Sequence, residues 1–114
     1  MAKNATRGDS INRGSGNVLA DIGFEDAEER QTKLRLAYVI NQILEDRGGT
    51  QSQAATLLEL NQPKISALQN YRLDGFSVER LMTLLTILDR DVDIVVKKKP
   101  RGRASGRIVV VLSE

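Results

Sequence analysis

The sequence has no cysteine and no histidine. Without cysteine there are no disulfides and no thiolate chemistry, and a reducing compartment is allowed. Without histidine as well, the usual zinc sites and imidazole catalysis are excluded. A carboxylate-only metal site stays formally open, but no acidic cluster suggests one, so no metal and no cofactor is expected. Tryptophan is missing too, and the only aromatic residues are Phe24, Tyr38, Tyr71 and Phe76. A core must therefore be aliphatic. No apolar run reaches the length of a membrane span and no signal peptide opens the chain. The expectation is no membrane association and cytoplasmic residence. Paired acid and base groups, or a nucleophile beside a base, are not visible either. GSGN at residues 14–17 lacks the preceding strand and following helix of a phosphate-cradling loop. An enzyme is not expected.

What is present is 114 residues with a formal net charge of +2. That length suits one domain with a modest core. The weakly basic balance is compatible with nucleic acid without being diagnostic.

The most informative stretch is TQSQAATLLELNQPKISALQNY, Thr50 to Tyr71. Ala54, Ala55 and Leu58 lie at helical spacing, as do Ile65 and Leu68, with Leu60 at a corner between them. Thr50 can cap the first helix, and Gln53 three residues on completes a capping-box pattern. Asn61 can cap the second, whose first turn tolerates Pro63 because that N–H has no partner anyway. Small Ala55 lets the two helices cross closely. This is the pattern of a helix-turn-helix. Outside the apolar face the second helix offers Gln62, Pro63, Lys64, Ser66, Ala67 and Asn70. They are short or hydrogen-bonding, as a helix entering a DNA major groove requires. Gln51 and Ser52, at the start of the first helix, can meet phosphate together with helix N-terminal N–H groups. The competing reading is a helical hairpin whose polar face meets only water.

TQSQAATLL followed by LNQPKISAL resembles the Xre-type, lambda-repressor-like helix-turn-helix regulators. GSGNVLADIGFEDAEE before the unit and GFSVERLMTLLTILDRDVDIVV after it are similar to a narrower group, the HigA-like antitoxins. The resemblance spans Gly14 to Val96. It departs from the family at the corner, where glycine is usual and this chain has Glu59. At positive φ that residue would carry roughly 1 kcal/mol of strain.

The rest of the chain is read in order. Residues 1–13 are polar and expected to be a disordered tail, and 14–17 a flexible turn. VLADIGF, Val18 to Phe24, reads as an extended arm packed on the helices or as a clip to another protein. Asp26 is a candidate N-cap, with Glu29 three residues on. A long helix runs from there to Arg47, with Leu36, Ala37, Ile40, Ile43 and Leu44 on its inner face and Leu34 and Val39 elsewhere on its surface. Gly48 and Gly49 stop it. Ser77 caps a last helix reaching about Leu88, with Phe76 and Leu81 as a staple and Val78, Leu81, Met82, Leu85 and Leu88 as its core stripe. DVDIVV, Asp91 to Val96, and IVVVL, Ile108 to Leu112, read as strands. They could form a hairpin or pair with another chain. Between them residues 97–107, KKKPRGRASGR, hold six positive charges in eleven residues. That loop is either solvated or a salt-sensitive phosphate contact.

The expected fold is mainly α, a lambda-repressor-like helix-turn-helix bundle of about four to five helices with a short C-terminal β-hairpin or paired strands. The tail is 1–13, the DNA-binding domain with its arm 14–90, and the C-terminal β segment with its basic loop 91–114. The expected function is a sequence-specific transcriptional repressor, binding a palindromic double-stranded DNA operator as a homodimer. Gln62, Lys64, Ser66 and Asn70 would read bases, with Pro63 and Ala67 on the same face, while Gln51 and Ser52 hold phosphates. The HigA-like resemblance implies an antitoxin that also neutralises a small ribonuclease toxin of the RelE/HigB type. The alternative is a stand-alone Xre-family regulator, phage-derived or not, without a toxin.

Overall fold

The computed structural model describes residues 18–113, with side chains described from Ala27 onward. Expectations for residues 1–17, the tail and the GSGN turn, lie outside the described residues. The chain divides between Gln31 and Thr32 into two units. Among the described residues there are four helices: α1 (Val18–Arg47), α2 (Gln51–Leu58), α3 (Gln62–Gln69) and α4 (Val78–Ile87).

Helix α1 starts earlier than the sequence suggests. VLADIGF is helical, not an extended arm, and the helix runs through Asp26 without a cap there. No proline interrupts this stretch, and its single internal Gly23 costs a helix only about 1 kcal/mol. A capping pattern at Asp26 is therefore overridden by continuation from the preceding turn. The far end behaves as its residues require. Gly48 adopts φ 73°, and its N–H reaches the Leu44 and Glu45 carbonyls at 3.1 Å. That left-handed step closes the helix.

In the second unit the core is aliphatic apart from Phe76. It joins Leu36, Ile40 and Ile43 of α1, Ala55 and Leu58 of α2, Ile65 and Leu68 of α3, and Leu81, Leu84 and Leu85 of α4. Ile40, Leu58, Ile65, Leu68, Leu81, Leu84 and Leu88 are essentially sealed from solvent. Val39, expected on the surface, packs partly against this core, whereas Leu34 stays exposed. Leu84, outside the expected stripe of α4, is 1 % exposed and belongs to the core.

The helix starts follow local chemistry. Thr50 Oγ1 accepts from the Gln53 N–H at 3.1 Å while Gln53 Oε1 accepts from the Thr50 N–H at 2.9 Å, a complete capping box. Asn61 Oδ1 accepts from the Lys64 N–H at 2.9 Å, and Ser77 Oγ from the Arg80 N–H at 2.9 Å. The helix ends share one solution. After α2 the Leu60 N–H reaches the Ala55 carbonyl at 2.9 Å, after α3 the Arg72 N–H reaches Ala67 at 2.8 Å, and after α4 the Arg90 N–H reaches Leu85 at 3.0 Å. Each is the six-to-one bond of a Schellman closure, which needs a left-handed residue just before it. That residue is Glu59 (φ 57°), Tyr71 (φ 60°) and Asp89 (φ 64°) respectively, never glycine.

The C-terminal strands are not formed. Residues 91–113 carry no helix or strand, and among the described residues no strand occurs at all. Val92 and Val110 pack partly on the core, while Ile94, Val95, Val96, Ile108, Val111 and Leu112 are well exposed. Alternation gives a segment the means to pair, but a ladder needs a partner backbone. The intervening eleven residues, with their like charges, Pro100 and two glycines, do not make a tight hairpin turn, and an isolated hairpin is marginal in water.

The left-handed Glu59 gives a direct test. Glu59→Gly removes the Cβ clash, and, after the entropy glycine costs the folded state, stability should rise by about 0.5–1 kcal/mol. Thermal unfolding followed by circular dichroism should show a midpoint raised by roughly 2–6 °C; an unchanged or lowered midpoint would mean that the corner carries no strain.

Candidate nucleic-acid interface

Helix α3 is only eight residues long, too short to persist alone in water. Its inner face is clamped from three sides. Ile65 and Leu68 are fully buried. Asn41 Nδ2, on α1, donates to the Leu68 carbonyl at 3.1 Å. Lys64 Nζ donates to the Gly75 carbonyl at 2.7 Å. Opposite the buried face, Gln62, Pro63 and Asn70 are exposed and Ser66 and Ala67 half-buried. Ala67 packs partly against the core, and the Lys64 ammonium turns back toward the following loop.

These outward groups differ in availability. Among the described residues no group bonds the Gln62 amide, so both its donor and its acceptor are open there. Asn70 Nδ2 donates back to the Ser66 carbonyl at 2.8 Å, which leaves its Oδ1 as the open group. At the start of α2, the Gln53 N–H is taken by Thr50 Oγ1 and the Ala54 N–H by the Thr50 carbonyl. The N–H groups of Gln51 and Ser52 have no intrahelical acceptor, being first-turn donors. They point out of the helix end, where partial positive charge favours an anion. The Gln51 side chain is not loose: its Nε2 donates to Gln69 Oε1 at 3.0 Å, tying the start of α2 to the end of α3. The side chains of Gln51 and Ser52 are both exposed.

A helix-turn-helix domain model matches residues 18–97. A solved structure named as a candidate XRE-family transcriptional regulator is 62 % identical, covers 77 % of this chain and 99 % of its own, and superimposes with a TM-score of 0.75. The chain belongs to the XRE family of helix-turn-helix transcriptional regulators. No curated protein shows significant similarity to it.

XRE-family regulators are DNA-binding proteins rather than catalysts, and the helix-turn-helix of this one is α2 with α3. Among its described residues no group of carboxylates is arranged to hold a metal ion, and no helix is long and apolar enough to cross a membrane. Three side-chain contacts around the candidate interface of this XRE regulator escaped the sequence reading, those of Asn41, Gln69 and Lys64. Their partners lie 27, 18 and 11 residues away in sequence, so no local pattern announces them. Asn41, an amide on α1 among Leu36, Ile40 and Leu44, was the one available hint, because an amide on a core-facing helix needs a partner.

The Gln51–Gln69 bond is exposed and should be energetically small. Gln69→Ala is expected to lower stability by about 0.5 kcal/mol or less, measured by urea unfolding. A loss above about 2 kcal/mol would mean that the pair carries much of the α2–α3 junction.

Proposed function

We propose that this regulator is a sequence-specific repressor that presents α3 to the major groove of double-stranded DNA. The single observation that carries this reading is the division of α3 into a sealed face, Ile65 and Leu68, and an outward face with a free Gln62 amide. Gln62 would pair bidentately with adenine, with Ser66 and the Asn70 Oδ1 as further base contacts and Pro63 and Ala67 at the groove wall. Gln51 and Ser52 would hold a phosphate through side chains and helix-end N–H groups. One such unit binds weakly, so a homodimer on a palindromic operator is part of the proposal, with half-sites about 34 Å apart.

The six cations of residues 97–107 would add sequence-independent phosphate contacts. All are exposed except half-buried Arg103. A charged, solvated segment of this kind raises affinity and its salt dependence without altering base choice.

We further infer the antitoxin of a type II toxin–antitoxin operon, which would also neutralise a small ribonuclease toxin of the RelE/HigB type. The HigA-like resemblance supports it. So do Leu34 (41 % exposed) and Tyr38 (51 %), apolar groups one turn apart on α1 outside the core. Co-purification from the native operon separates this reading from a stand-alone regulator: a small basic protein should accompany the chain, and its absence, with no such gene adjacent, favours the stand-alone reading.

Two binding measurements test the DNA reading, on duplexes selected from a random pool. Gln62→Ala should lower discrimination at one base pair by ~1–3 kcal/mol; curves on matched and altered duplexes that stay as far apart as before remove Gln62 from base reading. Changing Lys97, Lys98 and Lys99 together to Gln should reduce the slope of log K against log salt by at least about 1 while leaving discrimination intact. An unchanged slope means that the loop stays in solvent.

A further inference from the structure

Lys64 is the one residue on the outward stretch of α3 whose charged group is already engaged. Its Nζ sits 2.7 Å from the Gly75 carbonyl and 4.8 Å from the centre of the Phe76 ring. Phe76 is itself anchored, at 2 % exposure. Gly75 completes the seat. A Cβ placed there would stand 2.6 Å from Nζ, so a side chain at position 75 would require the ammonium to shift from this seat. Gly75 has no left-handed φ to explain the glycine. A hydrogen bond, a cation over an aromatic face and an absent Cβ thus converge on one group.

The first turn of α3 is otherwise held by buried Ile65, whose N–H reaches the Asn61 carbonyl at 3.0 Å. Pro63 has no N–H, and Asn61 caps the Lys64 N–H. Gln62 makes no contact by hydrogen bond. The loop from Tyr71 to Phe76 is thereby stapled to the turn that carries Gln62. The Phe76 end of that loop also leads directly into the Ser77 cap of α4.

We propose that Lys64 is a positioning residue, latching the first turn of α3 to the Gly75–Phe76 loop, so that base choice passes through Gln62 and not through the lysine. This rests on the DNA-reading proposal for α3. It has a consequence for the operator: no guanine requirement is attributable to position 64, although a free lysine there would prefer guanine.

The test uses the full chain, with Lys64→Met, Gly75→Ala and the pair combined. Unfolding without DNA comes first. Lys64→Met keeps the stem over Phe76 but loses the ammonium, and its midpoint should fall by roughly 4 °C. At a site free of strain, glycine to alanine stabilises through the unfolded chain. Gly75→Ala should therefore raise the midpoint when combined with Lys64→Met but not in the native chain, where it displaces Nζ. Equal effects in both backgrounds would overturn the latch. Binding to a duplex selected by the native chain comes second. With the latch lost, discrimination between matched and altered duplexes should drop roughly tenfold at the position that Gln62 reads, with the salt slope unchanged. A slope reduced by about 1, with no change in unfolding, would show that Lys64 reaches the nucleic acid and would overturn the proposal. If the native chain selects no duplex, the DNA reading and the routing through Gln62 both fail, and the unfolding cycle alone decides whether the latch exists.

Discussion

Helix α3 is held in place by what lies behind it. Eight residues do not make a stable helix in water, so α3 exists because Ile65 and Leu68 are driven out of water into the shared aliphatic core. Each fully buried aliphatic side chain contributes about 1.5–3 kcal/mol, more than any cap or hydrogen bond in the unit. The position of Gln62 is therefore a property of the core. A change in core volume shifts the outward face as a body, because close-packed interiors transmit small displacements.

That packing also explains why three helix ends tolerate non-glycine residues in the left-handed region. Glu59, Tyr71 and Asp89 adopt left-handed φ, a conformation that costs a residue other than Gly, Asn or Asp roughly 1 kcal/mol, and the Schellman bonds close around them at 2.8–3.0 Å. The helices are fixed by buried leucines on either side of each corner, so the corner has no other path. Strain of this kind persists where surrounding structure over-determines the backbone. Polar groups then divide into two sets. Some, such as the Asn41 amide and the Lys64 ammonium, hold α3 from behind or beside. The open amide of Gln62 and the first-turn N–H groups of α2 are left for a partner.

Local patterns were read well because their physics is local. Capping at Thr50, Asn61 and Ser77 acts within three residues, and the buried stripes repeat within four. The corner at Glu59 was legible only through the family resemblance, which expects glycine there; the left-handed φ of 57° is what the structure adds. The reading failed where continuation or partnership decided the outcome. Val18 to Phe24 looked extended because glycines flank it, but a helix in progress crosses one glycine at modest cost. DVDIVV and IVVVL looked like strands because they are apolar and β-branched, but strand formation belongs to a pair, and among the described residues no strand ladder forms.

The amino-acid sequence by itself determined the helix-turn-helix, its caps, its aliphatic core and the residue types on the outer face of α3, since each follows from spacing along a helix. Only the tertiary structure decided which of those outer groups are free. Lys64 turns to Gly75 and Gln51 to Gln69, whereas Gln62 turns to nothing. A side chain's partner depends on which distant segment the core brings beside it, and periodicity carries no record of that.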